Sequence, residues 1–178
     1  MAPISETLFQ NSLRHVRREL KTMGFGTQKI LNTPVSRTYL PSLTKQAYFT
    51  HDGKIFVPIL QSKKNVRDMI RHEYGHAVLF YYPGIQHSVR FFRCFNATRL
   101  EQDYLTPNAM LGPSEDFCET FMFYLKFKGI PPHKRTPAIM RKWRFISGLR
   151  RRFRSASSSS RPRRVRRSRA QRQPGQTL

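Results

Sequence analysis

Apolar residues recur at helical spacing in two well-defined stretches of the chain, residues 5–23 and residues 66–82. The first stretch ends at Gly24 and the second at Pro83-Gly84, and both glycine and proline terminate helices. Just before the second stretch, Ser62 or Asn65 is placed to cap the N-terminus of the helix, where backbone N–H groups otherwise stay unpaired. We therefore predict a helix in each stretch.

Three further helices are predicted in the second half of the chain. Residues 114–128 have acidic residues in the first turn and lysines in the last, which is the favourable polarity for a helix dipole. Residues 86–100 and 137–153 complete the set. In residues 86–100 we expect Phe91, Phe92 and Phe95 to be partly buried.

A β-hairpin is predicted before the helix at residues 66–82. Residues 46–50 and 54–60 are rich in Tyr, Phe, Ile and Val, and they flank the turn sequence His51-Asp52-Gly53. Pro58 cannot donate a backbone hydrogen bond, so the second strand is expected to lie at a sheet edge or to end near Pro58. An exposed edge there could pair with an extended peptide, although a purely structural hairpin gives the same pattern. Residues 24–41 are expected to be irregular.

The charge distribution divides the chain into a domain and a tail. The net charge is +23, and ten of these charges come from the arginines after residue 150, which leaves +13 in the first 150 residues. Residues 1–150 are therefore predicted to form one domain, in an α+β fold that is mostly helical. Residues 151–178, rich in Arg and Ser, are expected to be disordered and to bind nucleic acid or another acidic partner without sequence preference.

Several features bear on the compartment. No stretch has the apolar length of a membrane span, and the N-terminus lacks the pattern of a Sec-type signal peptide. The two cysteines, Cys94 and Cys118, fit a reducing environment. These features favour the cytoplasm and no membrane partner, and in a host with a nucleus the basic tail could serve as a nuclear-import signal.

The sequence His72-Glu73-Tyr74-Gly75-His76 is the strongest chemical signal in the chain. Two histidines four residues apart lie on the same face of a helix, where both can bind one zinc ion, and Glu73 then lies beside the position of a metal-bound water. Gly75 costs about 1 kcal/mol relative to alanine inside a helix. Close approach of another backbone or of the substrate would explain it.

Two histidines leave a catalytic zinc ion short of one protein ligand. Glu115 and Glu119 lie four residues apart on the helix at residues 114–128 and share one face. One of the two carboxylates is expected to bind the metal. The other would accept a hydrogen bond from Nδ1 of a ligand histidine and fix its orientation.

The segments HEYGHAV and SEDFCETFMFYL together resemble the gluzincin-type zinc metallopeptidases, the group that includes the catalytic domain of anthrax lethal factor. The resemblance covers these two segments only, and it implies a zincin-like fold and Zn²⁺ as the cofactor. In that family the second of the two helices carries two glutamates. The first, which is the third zinc ligand, corresponds to Glu115, and the second corresponds to Glu119. Such enzymes often use a tyrosine or a histidine to stabilise the oxyanion, and Tyr104 is the candidate here. We expect Cys118 to serve in packing.

The predicted function is zinc-dependent hydrolysis of peptide bonds in a protein or peptide substrate, with Glu73 as the general base. The alternative is a basic nucleic-acid-binding protein with a structural or vestigial zinc site, which the net charge favours. Structural zinc sites usually have four protein ligands, often cysteines. The two-histidine, one-carboxylate set of this chain therefore favours the peptidase.

Overall fold

A computed structural model describes residues 3–39, 47–59, 65–96, 100–133 and 136–159. The chain is mostly helical and has a small three-stranded sheet, which makes the fold α+β. The helices are α1 (Glu6–Thr22), α2 (Gln28–Leu31), α3 (Val66–Tyr81), α4 (Val89–Phe95), α5 (Pro113–Lys126) and α6 (Pro137–Ser159). The strands are β1 (Val35–Thr38), β2 (Tyr48–Phe49) and β3 (Ile55–Pro58), and 3-10 turns cover Pro83–Ile85, Glu101–Asp103 and Asn108–Leu111.

Helix α3 lies at the centre of the fold. It packs against α5 and α1, and its buried residues join a single hydrophobic core with those of α1, α4, α5 and α6. Arg71 on α3 is 6 % exposed and donates to both carboxylate oxygens of Glu19 on α1, each at 2.8 Å. A buried bidentate pair of this kind fixes the relative orientation of the two helices.

The sheet confirms the predicted hairpin and corrects its surroundings. Strands β2 and β3 are antiparallel across the turn at Gly53, whose φ of +81° favours glycine. The segment expected to be irregular instead contains α2 and β1, and β1 pairs in parallel with β3 in the order β1-β3-β2. Strand β3 is therefore central rather than at an edge, and it ends at Pro58, which is the second of the two outcomes expected for this strand.

The hydrogen-bond pattern explains how Pro58 fits a central strand. Ile55 and Ile59 donate to the β1 side, to the carbonyl oxygens of Pro34 and Thr38 at 2.9 and 3.0 Å. Alternate residues of a strand direct their backbone groups to opposite neighbours, so the nitrogen of Pro58 faces the β2 side. On that side the described pairing of β2 with β3 reaches only Phe56. Within the described part of the sheet, the missing N–H group of Pro58 therefore leaves no ladder bond unmade.

The other boundaries shift where packing overrides local pattern. Helix α4 begins at Val89, later than predicted, because Ser88 caps it, and the helix ends at Phe95. Phe92 is 60 % exposed, whereas Phe91 and Phe95 are buried as expected. Helix α6 runs past the predicted domain boundary at residue 150, and Phe153 is buried. Asn65 stands at the N-cap of α3 without a side-chain cap bond, while Ser62 lies outside the described residues.

The first part of the tail expected to be disordered, residues 151–159, belongs to α6. Residues 160–178 lie outside the described residues, so their disorder stays a prediction. Among the helices described, none is both long enough and apolar enough to cross a membrane.

Candidate metal centre

The candidate site forms where α3 crosses α5. A Cβ atom at Gly75 would lie 2.9 Å from the Cα and 3.0 Å from the Sγ of Cys118 on α5, so the two helices touch at the backbone. The close approach of another backbone, one of the two expectations for Gly75, is therefore the feature that the structure contains. It brings the histidines of α3 next to the glutamates of α5.

Donor atoms of three side chains, His72, His76 and Glu115, converge at this crossing. Nε2 of His72 lies 3.2 Å from Nε2 of His76 and 3.1 Å from Oε2 of Glu115, and Nε2 of His76 lies 3.3 Å from Oε1 of Glu115. A tetrahedral zinc ion with bonds of about 2.0–2.1 Å requires its ligand atoms to be about 3.3 Å apart. The donor atoms therefore fit a zinc ion in both type and spacing.

Glu119 fixes the orientation of His72. Nδ1 of His72 lies 2.9 Å from Oε1 of Glu119, which makes Nδ1 the protonated nitrogen and directs Nε2 towards Glu115 and His76. Glu119 is held in turn by the hydroxyl of Thr106, which donates to Oε2 at 2.9 Å, and by Nδ2 of Asn108, which donates to Oε1 at 3.2 Å. Thr106 and Asn108 belong to the loop before α5, and sequence reasoning missed both.

The charges of the site support one another. Burial lowers the pKa of His72, but hydrogen bonds with Glu115 and Glu119 outweigh it and raise that pKa to about 10. Hydrogen bonds with His72 and His76 hold the pKa of Glu115 well below its usual range. Burial would raise the pKa of Glu119, but its bond with His72 lowers it. The carboxylates of Glu115 and Glu119 thus stay ionised, as metal binding requires, whereas Nε2 of His72 must release its proton when a metal binds.

Glu73 differs from the other two glutamates. Its side chain is 4 % exposed in total, and Oε2 has no hydrogen-bond partner among the described residues. Burial raises the pKa of Glu73, against the lowering effect of His72 and His76. A buried carboxylate oxygen without a partner, beside a metal site, is available to accept a proton.

A cleft of about 640 Å³ opens onto these groups. Its walls include Tyr48 and Phe49 of β2, Asn108 and Leu111 of the loop before α5, and Met122 of α5. His72, Glu73, His76, Glu115 and Glu119 all line the cleft as well. The five residues predicted from the two helical segments are therefore together at one accessible surface.

Cys118 is an alternative to Glu115 as the third metal ligand. One donor atom each from His72, His76 and Cys118 lies within 4.8 Å of the others. The thiol is completely buried, and burial together with the neighbouring carboxylates raises its pKa well above the ordinary value, which opposes the thiolate that binds metal. The carboxylate of Glu115 lies 3.1 Å from Nε2 of His72 and 3.3 Å from Nε2 of His76 and is ionised, so Glu115 is the better third ligand and Cys118 the packing residue.

Tyr104 is placed differently from the other predicted residues. Its ring lies beneath the ammonium group of Lys142, with Nζ 4.5 Å from the ring centroid, and Tyr104 does not belong to the residues that line the cleft. Lys142 is 1 % exposed, and its Nζ lies 2.6 Å from Oδ2 of Asp116 and 2.8 Å from the carbonyl oxygen of Asp103. The oxyanion role of Tyr104 stays a prediction.

Lys142 connects three parts of the fold and was not predicted from the sequence. It ties α6 to the first turn of α5 and to the start of the loop that carries Thr106 and Asn108. Its sequence position gave a signal, because it stands between Ile139 and Ile146 in the apolar stripe of α6. A lysine in such a stripe needs a buried partner.

No known protein family, curated protein or solved structure matches the chain.

Proposed function

We propose that the chain is a zinc-dependent endopeptidase of the gluzincin type with a zincin-like fold. One observation carries the proposal. Nε2 of His72, Nε2 of His76 and the carboxylate of Glu115 lie within 3.1–3.3 Å of one another, beside a Glu73 oxygen that has no partner in the described structure. Three protein ligands facing an open cleft are typical of catalytic rather than structural zinc.

A zinc ion held there would polarise a peptide carbonyl and lower the pKa of an attacking water. Glu73 has the role of general base: it accepts the proton of that water and returns it to the departing amine. Its raised pKa, caused by burial, suits a group that must both accept and release a proton. Glu119 keeps His72 in the tautomer whose Nε2 faces the site.

The substrate class follows from the wall of the cleft. Strand β2 is at the edge of the described sheet, and Tyr48 and Phe49 of β2 line the cleft next to His76. The rings of Phe49 and His76 are stacked with their centroids 6.5 Å apart. An extended peptide can add to such an edge through backbone hydrogen bonds and lie across the metal site. The proposed substrate is therefore an extended segment of a protein or peptide.

Two residues are candidates for stabilising the oxyanion. Tyr104 is the candidate predicted from the resemblance, and Asn108 is a cleft-lining amide whose Nδ2 lies 3.4 Å from Oε2 of Glu115. Loss of one oxyanion donor lowers kcat about 10²–10³-fold. Such a loss in Tyr104→Phe would assign the role to the tyrosine. A loss in Asn108→Ala at unchanged zinc affinity, together with an unchanged Tyr104→Phe, would assign it to the asparagine, since the zinc affinity reports whether Glu119 still orients His72.

Glu73→Gln tests the proposal itself. The amide keeps the shape of the side chain but cannot accept the proton, so zinc content should stay stoichiometric while cleavage of a peptide library falls at least about 10²–10⁴-fold. Glu101→Gln removes the same charge at an exposed position and should retain activity. Equal cleavage by wild type and Glu73→Gln would refute the mechanism. Stoichiometric zinc without any cleavage by wild type would favour the nucleic-acid-binding alternative.

A further inference from the structure

A second cleft, of about 420 Å³, adjoins the cleft of the metal centre (the metal cleft). Phe49 of β2 and His76 of α3 line both clefts. The other walls of the second cleft come from the hairpin turn, the C-terminal part of α3 and the first residues of α5. A cleft of this volume is large enough to hold part of a ligand. The two clefts therefore meet at one of the candidate metal ligands.

The order of the lining residues along the hairpin sets the path of a bound peptide. Tyr48 belongs to the wall of the metal cleft, Phe49 to the walls of both clefts, and Thr50 to the wall of the second cleft. Consecutive residues of an extended chain are about 3.3 Å apart. A peptide that adds to the edge of β2 therefore passes from one cleft into the other, with His76 at the junction.

Phe80 gives the second cleft an exposed aromatic wall. The residue is 44 % exposed, and its ring packs edge-on against those of Phe49 and Tyr81, with centroids 5.3 and 5.1 Å apart. On the side of the hairpin turn, the Cβ position of Gly53 lies 3.2 Å from Cε1 of Phe80. Neighbours on several sides thus hold the ring in place, so a ligand that contacts it need not order it first.

The two clefts differ in charge. Four carboxylates line the metal cleft, those of Asp68, Glu73, Glu115 and Glu119. Among the described residues that line the second cleft, none is an Asp, Glu, Lys or Arg, and Phe49, Leu79 and Phe80 supply apolar surface. A charged substrate side chain would lose hydration there without gaining an ionic partner, whereas an apolar side chain gains from being removed from water.

We propose that the second cleft is a specificity subsite, which takes a large apolar side chain of the peptide substrate two or three residues from the scissile bond. This subsite rests on the proposed peptidase function, since it selects a residue of that enzyme's substrate. The ring of Phe49 lies 6.5 Å from that of His76 and 5.3 Å from that of Phe80. An extended chain covers this distance in about two or three residues.

The test measures both cleavage and binding with the zinc-loaded full chain. Cleavage of a randomised peptide library, analysed by mass spectrometry, gives the residues preferred at each position around the cleaved bond. Selection of a phage-displayed random peptide library on the Glu73→Gln protein gives the residues preferred for binding alone. Both measurements are repeated with Phe80→Ala and Phe80→Glu. The control is Phe92→Ala, which removes a phenylalanine that is 60 % exposed on α4. Circular dichroism establishes that each variant is folded.

Wild type should prefer Phe, Tyr, Leu or Met at one position two or three residues from the cleaved bond. In Phe80→Ala, kcat/KM for a peptide with Phe at that position should fall at least about tenfold, whereas kcat/KM for the same peptide with Ser there should change less than about twofold. Phe80→Glu should shift the preference to Lys or Arg at the same position, because the new carboxylate gives a cationic side chain a partner. Phe92→Ala should keep the preference of wild type.

The subsite and the peptidase can fail separately. Cleavage without this apolar preference, a preference unchanged in both Phe80 variants, or an equal loss in Phe92→Ala would overturn the subsite and leave the peptidase standing. Selection of peptides with the apolar residue, lost in Phe80→Ala, without any cleavage by wild type would support the subsite as a peptide-binding site and refute the peptidase. Neither selection nor cleavage of any peptide would overturn both.

Discussion

Gly75 of α3 and Cys118 of α5 are in contact at the backbone, so that a single added methyl group at Gly75 would lie 2.9 Å from the Cα of Cys118. This contact sets the distance between the two helices. His72 and His76 flank Gly75 on one helix, and Glu115 and Glu119 flank Cys118 on the other. The spacing of the donor atoms at the candidate metal centre therefore depends on a position that itself binds nothing.

Replacing Gly75 with alanine should destabilise the protein, although alanine is the better helix former by about 1 kcal/mol. The new methyl group meets backbone rather than a flexible side chain, and overpacking of this kind costs about 1–3 kcal/mol. Urea unfolding of the zinc-loaded variant, together with its zinc affinity, measures both consequences. Gly84→Ala is the matched control, because nothing lies within 4 Å of its Cβ position. A Gly75→Ala protein as stable as wild type would contradict the close contact.

The three residues of α5 nearest the site should differ in their effect on zinc binding. Glu119→Ala leaves the three donor atoms in place but frees Nδ1 of His72, so zinc affinity should fall about 10–100-fold. Glu115→Ala removes a donor atom and should reduce the affinity further than Glu119→Ala does. Cys118→Ala should bind zinc as wild type does. Competition with a chromogenic chelator gives all three affinities. Loss of zinc from Cys118→Ala but not from Glu115→Ala would show that Cys118, not Glu115, is the third zinc ligand.

Removal of zinc should lower the thermal stability of the wild-type protein. A ligand that binds only the folded state at 100 times its Kd stabilises it by about 2.7 kcal/mol. Calorimetry before and after dialysis against a chelator should therefore show a clear decrease in Tm that added zinc reverses. The Glu115→Ala protein should show little change under the same treatment. A wild-type Tm insensitive to chelator and to zinc would argue against a metal site.

Replacing Lys142 with methionine should destabilise the protein strongly. Burial raises the pKa of Asp116 to about 6 despite the adjacent ammonium group, and burial lowers the pKa of Lys142, so the pair is kept ionised mainly by mutual contact. Loss of one partner of a buried pair costs about 3–5 kcal/mol. The double variant Lys142→Met/Asp116→Leu should recover part of this loss, because it leaves no buried charge. Denaturant unfolding of wild type, both single variants and the double variant gives the coupling energy.

The control for Lys142 is Arg144→Met, which removes an exposed cation two positions away on the same helix. Its free energy of unfolding should stay within about 0.5 kcal/mol of wild type. A Lys142→Met protein that resembled this control would show that the pair contributes nothing to stability.

The sequence by itself determined the elements with strong local signals. Residues 66–82 and 114–128 were predicted as helices almost to their ends, because apolar spacing, proline and glycine act locally. The hairpin around Gly53 was predicted for the same reason. The spacing of His72 and His76 was also sufficient to place both side chains on one face of α3, and the four-residue interval did the same for Glu115 and Glu119.

Tertiary structure decided what no local pattern contains. Strand β1 forms because β3 offers it a parallel partner. The four residues of β1 carry no local pattern that predicts a strand. The close approach of α3 and α5 required the contact at Gly75. Thr106 and Asn108, which bond to Glu119, lie in the loop before α5, where no helical spacing relates them to Glu119. Helix α4 likewise packs against α6, with the guanidinium of Arg90 3.6 Å from the Cβ position of Gly148. Each of these contacts links segments far apart in sequence, so only the packed chain brings them together.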